Sequence, residues 1–241
     1  MKNPAETLPR TIRIVEQGFA DGWHLGVQVY VSVAGKTVAD FAVGEARPGV
    51  PMTASTIMWW LSCSKPIMAV AIAQLWESGE LELDDAVCRH ISEFRTKGKE
   101  AVTLQQLLTH TVSMNADVPW NLTDWDVIVS RLCESELTAG WVPGRDAGYN
   151  VAGNWYLLGE VVRRLDGRTY DRYAREAIFE PLGMGDSWIG MPTERYYAYG
   201  NRVGLMYDTA DSEPKSDDPQ QRCLTCRPGG SGHGPIRELG R

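Results

Sequence analysis

Ser62 and Lys65 stand three residues apart at the head of an apolar run, a spacing that puts both side chains on one helical face, a turn apart. A serine hydroxyl becomes a nucleophile only when a neighbouring group takes its proton. Amides at a helix N-terminus and the helix dipole favour the anion developing on Ser62, and burial near that positive end lowers a lysine towards a usable base. Ser212 and Lys215 repeat the spacing, but with Pro214 between them in the acidic stretch DTADSEPKSDDPQQR, where neither a helix nor a dry environment is expected. Context separates the two pairs. His24, His90 and His233 show no ligand spacing, and Cys223 with Cys226 forms a CxxC that lacks a second pair to complete four ligands. No metal and no cofactor are expected.

These residues must be held by elements legible in the pattern. Ile12, Val15 and Phe19 share one helical face; Val27, Val29, Val31 and Val33 then alternate with Gln28, Tyr30 and Ser32 as in a half-buried strand. Ala34, Gly35 and Lys36 turn the chain into a second apolar segment over 37–43, which predicts an antiparallel hairpin. From 62 to 78 the pattern is a buried helix with Met68, Ile72, Leu75 and Trp76 inward, closed by Gly79, with Pro66 tolerable in its first turn. Further helices are signalled by Thr103 with Gln106, a capping-box pair, by Thr123 with Asp126, by the stretch from Asn154 to Leu165 closed by Gly167, and by a start at Thr169. After Pro181 periodicity is lost.

The chain has 241 residues, 43% of them hydrophobic, with 31 acidic and 24 basic residues for a net charge of -7. That length buries a sizeable core. An acidic chain without a Lys/Arg block gives phosphate backbones or anionic lipid little to grip, which argues against nucleic-acid and membrane partners. The longest nearly apolar run, from Pro66 to Trp76, is far short of the roughly 20 residues of a spanning helix. No compact apolar leader opens the chain, so a cytoplasmic location is expected. Five scattered cysteines, an odd number, read as mostly reduced thiols.

The run TIMWWLSCSKPIMAVAIAQLWESGELELDDAV resembles the active-site helix of the serine beta-lactamase and penicillin-binding-protein superfamily, especially its class C-like esterase branch. HLGVQVYVSVAGK, VTLQQLLTHT, WVPGRDAGYNVAGNWYLLGEVVRRLDG and IFEPLGMGDSW follow in the family's order. The resemblance implies an α+β fold, an antiparallel sheet flanked by helices plus an all-helical region over about 85–200. It also implies a hydrolase in which Ser62 is acylated, Lys65 assists, and Tyr149, 87 positions after Ser62, matches the tyrosine of the family's Tyr-x-Asn. A phenol held beside an ammonium can ionise, take the serine proton and return it to the leaving group.

Two departures bear on substrate. Tyr149 is followed by Asn150 and Val151 rather than by x and Asn, which leaves Asn150 or Asn154 as candidate substrate-binding amides and counts against lactamase activity. Tyr199, Gly200 and Asn201 do spell Tyr-x-Asn but lie beyond the PLGM segment, and are read as a decoy. His110, in LLTHT, is implied by the resemblance to be structural. The family's KTG or HxG strand is absent; His233 and Gly234 only imitate it. The chain is therefore expected to be a single incomplete domain with C-terminal strands missing, an exposed sheet edge and impaired activity. Its expected parts are 1–84 with hairpin and active-site helix, 85–200 helical, and 201–241 a loop and the start of a helix. The expected activity is hydrolysis of small esters through an acyl-enzyme, without cofactor. Alternatives are a beta-lactamase, a D-amino-acid peptidase or amidase acting on an amide, or a noncatalytic vestige.

Overall fold

The computed structural model describes residues 4–206 apart from 117, 119–121 and 123, and these fall into two compact units. Ser212, Lys215, Cys223, Cys226, His233 and Gly234 lie outside the described residues, as does Thr123.

The first unit takes residues 4–59 and 193–206 of the described chain. Helices α1 (Pro4–Thr7) and α2 (Pro9–Ala20) lead into a three-stranded antiparallel sheet of order β1-β2-β3, formed by Gly26–Val33, Lys36–Arg47 and Val50–Pro51. The expected hairpin is present and longer than the apolar signal, because β2 runs on through Gly44 and Glu45 to pair with β3. Its register shifts where Val31 faces Ala39 and Ser32 faces Thr37, so Val38 is the extra residue of a bulge. Burial fades past that bulge: Val27, Val29 and Val31 are half-buried while Val33 is exposed. A helix at Thr193–Tyr199 lies where periodicity was expected to be lost. The backbone after it returns alongside residue 57, with a parallel bridge between Ile57 and Val203, and Tyr199 packs against the Val203 and Leu205 pair. Tyr199 of the Tyr199–Gly200–Asn201 run is thus a packing residue of this unit.

The second unit spans 60–192. Residues Leu61–Ser64 form a 3-10 turn that runs straight into helix α3 (Lys65–Glu77), so Ser62 precedes the α-helix proper and Lys65 is its first residue. Met68, Ala71, Ile72 and Leu75 form the buried face of α3. Trp76, expected inward, is 48% exposed and its indole N–H donates to Glu82 Oε2 at 3.0 Å. It lies one residue past Leu75, a rotation of about 100° that carries it off the core face. Helices α4 (Val87–His90), α5 (Leu104–Leu108), α6 (Trp125–Glu134), α7 (Gly153–Asp166) and α8 (Tyr170–Tyr173) follow, and a π-helical segment over Ala174–Phe179 continues α8.

The caps explain several of these boundaries. Thr103 and Gln106 make a complete capping box at the head of α5. The carboxylate of Asp124 caps α6 by accepting the Val127 amide at 3.1 Å. Gly167, at φ +84°, ends α7 in the left-handed region where a side chain would be strained. The core is made where α3, α7 and the π-helical segment meet: Ile72, Leu157, Leu158, Val161 and Phe179 are all fully buried, each stabilising the unit by roughly 1.5–3 kcal/mol. This packing ties α3 into the core of the second unit. Gly159 permits it, since a Cβ there would lie 2.7 Å from the Trp125 ring and 3.2 Å from Met68 Cε. Antiparallel sheet and helices together make the fold α+β.

Candidate active site

Ser62 lies in the 3-10 turn behind Leu61, whose φ of +46° is unusual for a leucine. Strained backbone next to a reactive side chain is a common device for aiming it. Lys65, one turn on, leans back towards the helix start as helical side chains do, and its ammonium donates to Ser62 Oγ at 3.2 Å. The same Nζ donates to the Tyr149 hydroxyl at 2.9 Å, and that hydroxyl donates to Ser62 Oγ at 2.5 Å. Three groups from two segments close a triangle of hydrogen bonds. The hydrogen bond from Lys65 above all, then that with Ser62, holds the Tyr149 phenol below its ordinary pKa, against the opposing effect of desolvation. Ser62 is exposed and Tyr149 is 60% exposed, so water screens this effect and short contact must do most of the work.

Tyr149 stands on an irregular segment, and its position is fixed from outside. Trp141 Nε1 and the Gly144 amide both donate to the Thr111 carbonyl, at 3.0 and 3.2 Å. The Gly148 amide donates to the His110 carbonyl at 3.1 Å, and the Asn150 amide donates to His110 Nδ1 at 2.9 Å. The His110 ring stacks on Tyr149 with centroids 4.9 Å apart and planes 24° apart. Trp155, from the first turn of α7, lies 5.6 Å from the His110 ring, and Lys65 Nζ sits 4.9 Å from the Tyr149 centroid and 5.6 Å from that of Trp155. The ammonium is thus held by two aromatic faces as well as two hydroxyls.

The structure brings Ser62, Lys65 and Tyr149 together and gives the two asparagines other work. Asn150 Oδ1 accepts the Asn154 amide at 3.1 Å, satisfying one of the free donors at the head of α7. Asn154 is fully buried, and its amide nitrogen donates to the Leu107 and Val112 carbonyls at 3.2 and 3.5 Å. A buried amide tied to two carbonyls is a brace between α5 and α7, which corrects the expectation that Asn154 could face substrate. Val151 is exposed beside Tyr149 and offers no polar group. Among the described residues no three His, Cys, Asp or Glu side chains are grouped to hold a metal ion, and no helix is long and apolar enough to cross a membrane.

His110 and Trp155 are parts of this site that pattern alone did not identify. One signal was available for the first: a helix ending at Thr109 calls for glycine at the next, left-handed position, and the sequence has a histidine there instead. For Trp155 no local signal exists, because an aromatic residue in a first helical turn is usually core.

With that geometry in view, similarity to known proteins is informative. The sequence profile of the family described as Beta-lactamase matches residues 11–241. Esterase EstB of Burkholderia gladioli is 28% identical over 216 residues, covering 80% of this chain and 54% of that esterase. Penicillin-binding protein 4 of Amycolatopsis lactamdurans is 28% identical over 150 residues, 61% of this chain and 39% of that protein. The crystal structure of a penicillin-binding protein homologue from Caulobacter crescentus superposes with a TM-score of 0.70 at 33% identity, covering 92% of this chain and 60% of that one. The chain thus spans about half or less of the length of these two curated relatives.

Proposed function

The chain belongs to the beta-lactamase family, and from that membership we propose that it carries the site of a serine hydrolase that acts on small esters through an acyl-enzyme. The observation that carries the reading is the closed triangle of Ser62 Oγ, Lys65 Nζ and Tyr149 OH, with sides of 3.2, 2.9 and 2.5 Å. In this reading the Lys65 ammonium stabilises a Tyr149 phenolate. Across the short Tyr149–Ser62 contact that phenolate takes the serine proton as Oγ bonds to the substrate carbonyl carbon. The Ser62 backbone amide donates to the developing oxyanion. Collapse of the tetrahedral intermediate breaks the ester C–O bond, and the departing alkoxide recovers the proton from Tyr149 as alcohol. Water then repeats the sequence with the acyl-enzyme, returning Ser62 and a carboxylic acid.

The preference for esters rests on what flanks Tyr149. An amide substrate gains from a side-chain amide that pairs with its own polar groups. Here Val151 is apolar, Asn150 uses its side-chain oxygen on the helix α7 terminus, and Asn154 is buried. An ester has no N–H to satisfy and loses less. The similarity to an esterase points the same way, while the similarity to a penicillin-binding protein keeps amide or peptide hydrolysis as the rival. A small ester or amide is the substrate class under either reading.

The test is covalent labelling and turnover together. A fluorophosphonate should label Ser62, located by peptide mapping, and short p-nitrophenyl esters should turn over faster than a chromogenic cephalosporin. Labelling that persists in Ser62→Ala overturns the nucleophile; faster cephalosporin hydrolysis overturns the ester preference.

A further inference from the structure

We infer that His110 is a positioning residue for this site: its uncharged imidazole fixes the backbone on both sides of Tyr149 and so sets where the phenol oxygen meets Ser62. The inference rests on the reading of Tyr149 as the proton acceptor. The geometry has three parts. His110 accepts the Gly148 amide through its carbonyl at 3.1 Å and the Asn150 amide through Nδ1 at 2.9 Å, one bond on each side of residue 149. Its ring lies against the Tyr149 ring at 4.9 Å, nearly parallel. Its own backbone is at φ +58°, just past the end of α5, a position that favours glycine. The fold retains histidine in a conformation that costs energy, and the ring is what a glycine there would lack.

The latch works only with a neutral ring. Nδ1 accepts from a backbone N–H, so the ring proton must be on Nε2. A proton added at Nδ1 removes the acceptor and sets two donors face to face. The charged group acting on the ring is the Lys65 ammonium of α3, and the titratable group stacked on it is Tyr149; Asn150 and Trp155, which also meet it, are neutral. Burial first, and the Lys65 charge second, hold His110 below the ordinary histidine pKa. The latch is therefore complete above about pH 6.5 and released as pH falls below that through the folded-state value. An acid decline in activity then reports imidazole protonation, transmitted through Asn150 to Tyr149.

The experiment measures fluorophosphonate labelling of Ser62 from about pH 5 to 8 in the 241-residue protein, in His110→Asn and in His110→Phe, alongside the pH dependence of the Asn150 amide resonance. Asparagine can place a carbonyl oxygen near the Nδ1 position and does not titrate; phenylalanine keeps a stacked ring and removes the acceptor. We expect His110→Phe to label roughly tenfold to a hundredfold more slowly across the range, the usual cost of misplacing a reacting group by about an ångström. His110→Asn should label faster than His110→Phe at pH 8 and lose the wild-type acid decline. The Asn150 amide should titrate with the imidazole in the wild type and be insensitive to pH in His110→Asn. Wild-type labelling by His110→Phe, or an unchanged acid decline in His110→Asn, overturns the proposal. If a variant does not fold, or no labelling is seen, the wild-type Asn150 amide decides: an amide that ignores imidazole protonation overturns the latch. Unimpaired labelling of Tyr149→Phe with a titrating Asn150 amide marks a different failure, that of the catalytic reading, and leaves the latch standing.

Discussion

Helix α7 has a reactive cluster ahead of its first turn and a charged one centred at its middle, built on opposite terms. Before its first turn stands Tyr149, 60% exposed and held by hydrogen bonds to its neighbours' backbone rather than by its own burial. Two turns in, Glu160 is fully buried and accepts from Trp125 Nε1, Arg163 Nε and Arg164 Nε, each at 2.7 Å. Burial pushes the Glu160 carboxyl up, but these hydrogen bonds outweigh it and hold it below its ordinary range. Arg164 also grips Glu93, at 2.9 and 3.0 Å, joining the segment after α4 to α7. A carboxylate with every oxygen occupied is a joint between helices and has no capacity left for chemistry. The exposed phenol keeps that capacity, and its precision is supplied by the backbone around it.

That contrast is broken or sharpened by four measurements. Ser62→Ala should abolish fluorophosphonate labelling, a loss on the order of 10⁶ where such nucleophiles have been removed, with no loss of stability; label found elsewhere would move the site. Tyr149→Phe should slow labelling about 10²-fold to 10⁴-fold yet shift the urea midpoint little, since an exposed hydroxyl supports no core. A large stability loss in that variant would make Tyr149 a packing residue like those around Glu160.

Glu160→Ala should do the reverse. Removing one partner of a buried ionic cluster costs about 3 to 5 kcal/mol, a large part of the 5–15 kcal/mol of a typical domain. Labelling should fall only as far as the folded fraction does. Because Glu160 is depressed in the folded state, the stability it contributes is present above about pH 4.3 and lost as pH falls through its folded value. Acid unfolding of the wild type should therefore steepen below that pH and flatten in the variant; equal acid profiles would remove Glu160 from the account. Smallest is Asp124→Ala at the head of α6, which should cost about 1 kcal/mol in a thermal melt and leave labelling untouched. An effect near zero would mean that water caps the Val127 amide equally well.

Local rules carried much of the molecule. The hairpin, the capping box of Thr103 and Gln106, the buried face of α3 and the glycine stop of α7 are each written within a few residues, so periodicity and capping chemistry suffice to place them. The Ser62 and Lys65 pair is also local, a single helical turn. The short strand β3, the helix at Thr193–Tyr199 and the exposure of Trp76 were not legible, because two residues or about two helical turns carry no clear period and a tryptophan one step off the core face looks like its neighbours.

What the tertiary structure alone decided was the employment of the polar residues. Asn150 and Asn154 are equally plausible substrate amides as letters. The Asn150 side chain accepts a free amide at the head of α7, and only the approach of α5 to α7 shows Asn154 serving as a buried brace. His110 is a helix-ending residue in sequence, and a partner of Tyr149 only once the 39 intervening residues have folded back to set its Nδ1 against the Asn150 amide. Glu160, one polar residue within the helical stretch from Asn154 to Leu165, is buried where Arg163, Arg164 and Trp125 converge on it. Side-chain chemistry is set by residue type, but desolvation, hydrogen-bond partners and distance to other charges are set by segments far apart in the chain, and those decide whether a polar group reacts or only holds the fold together.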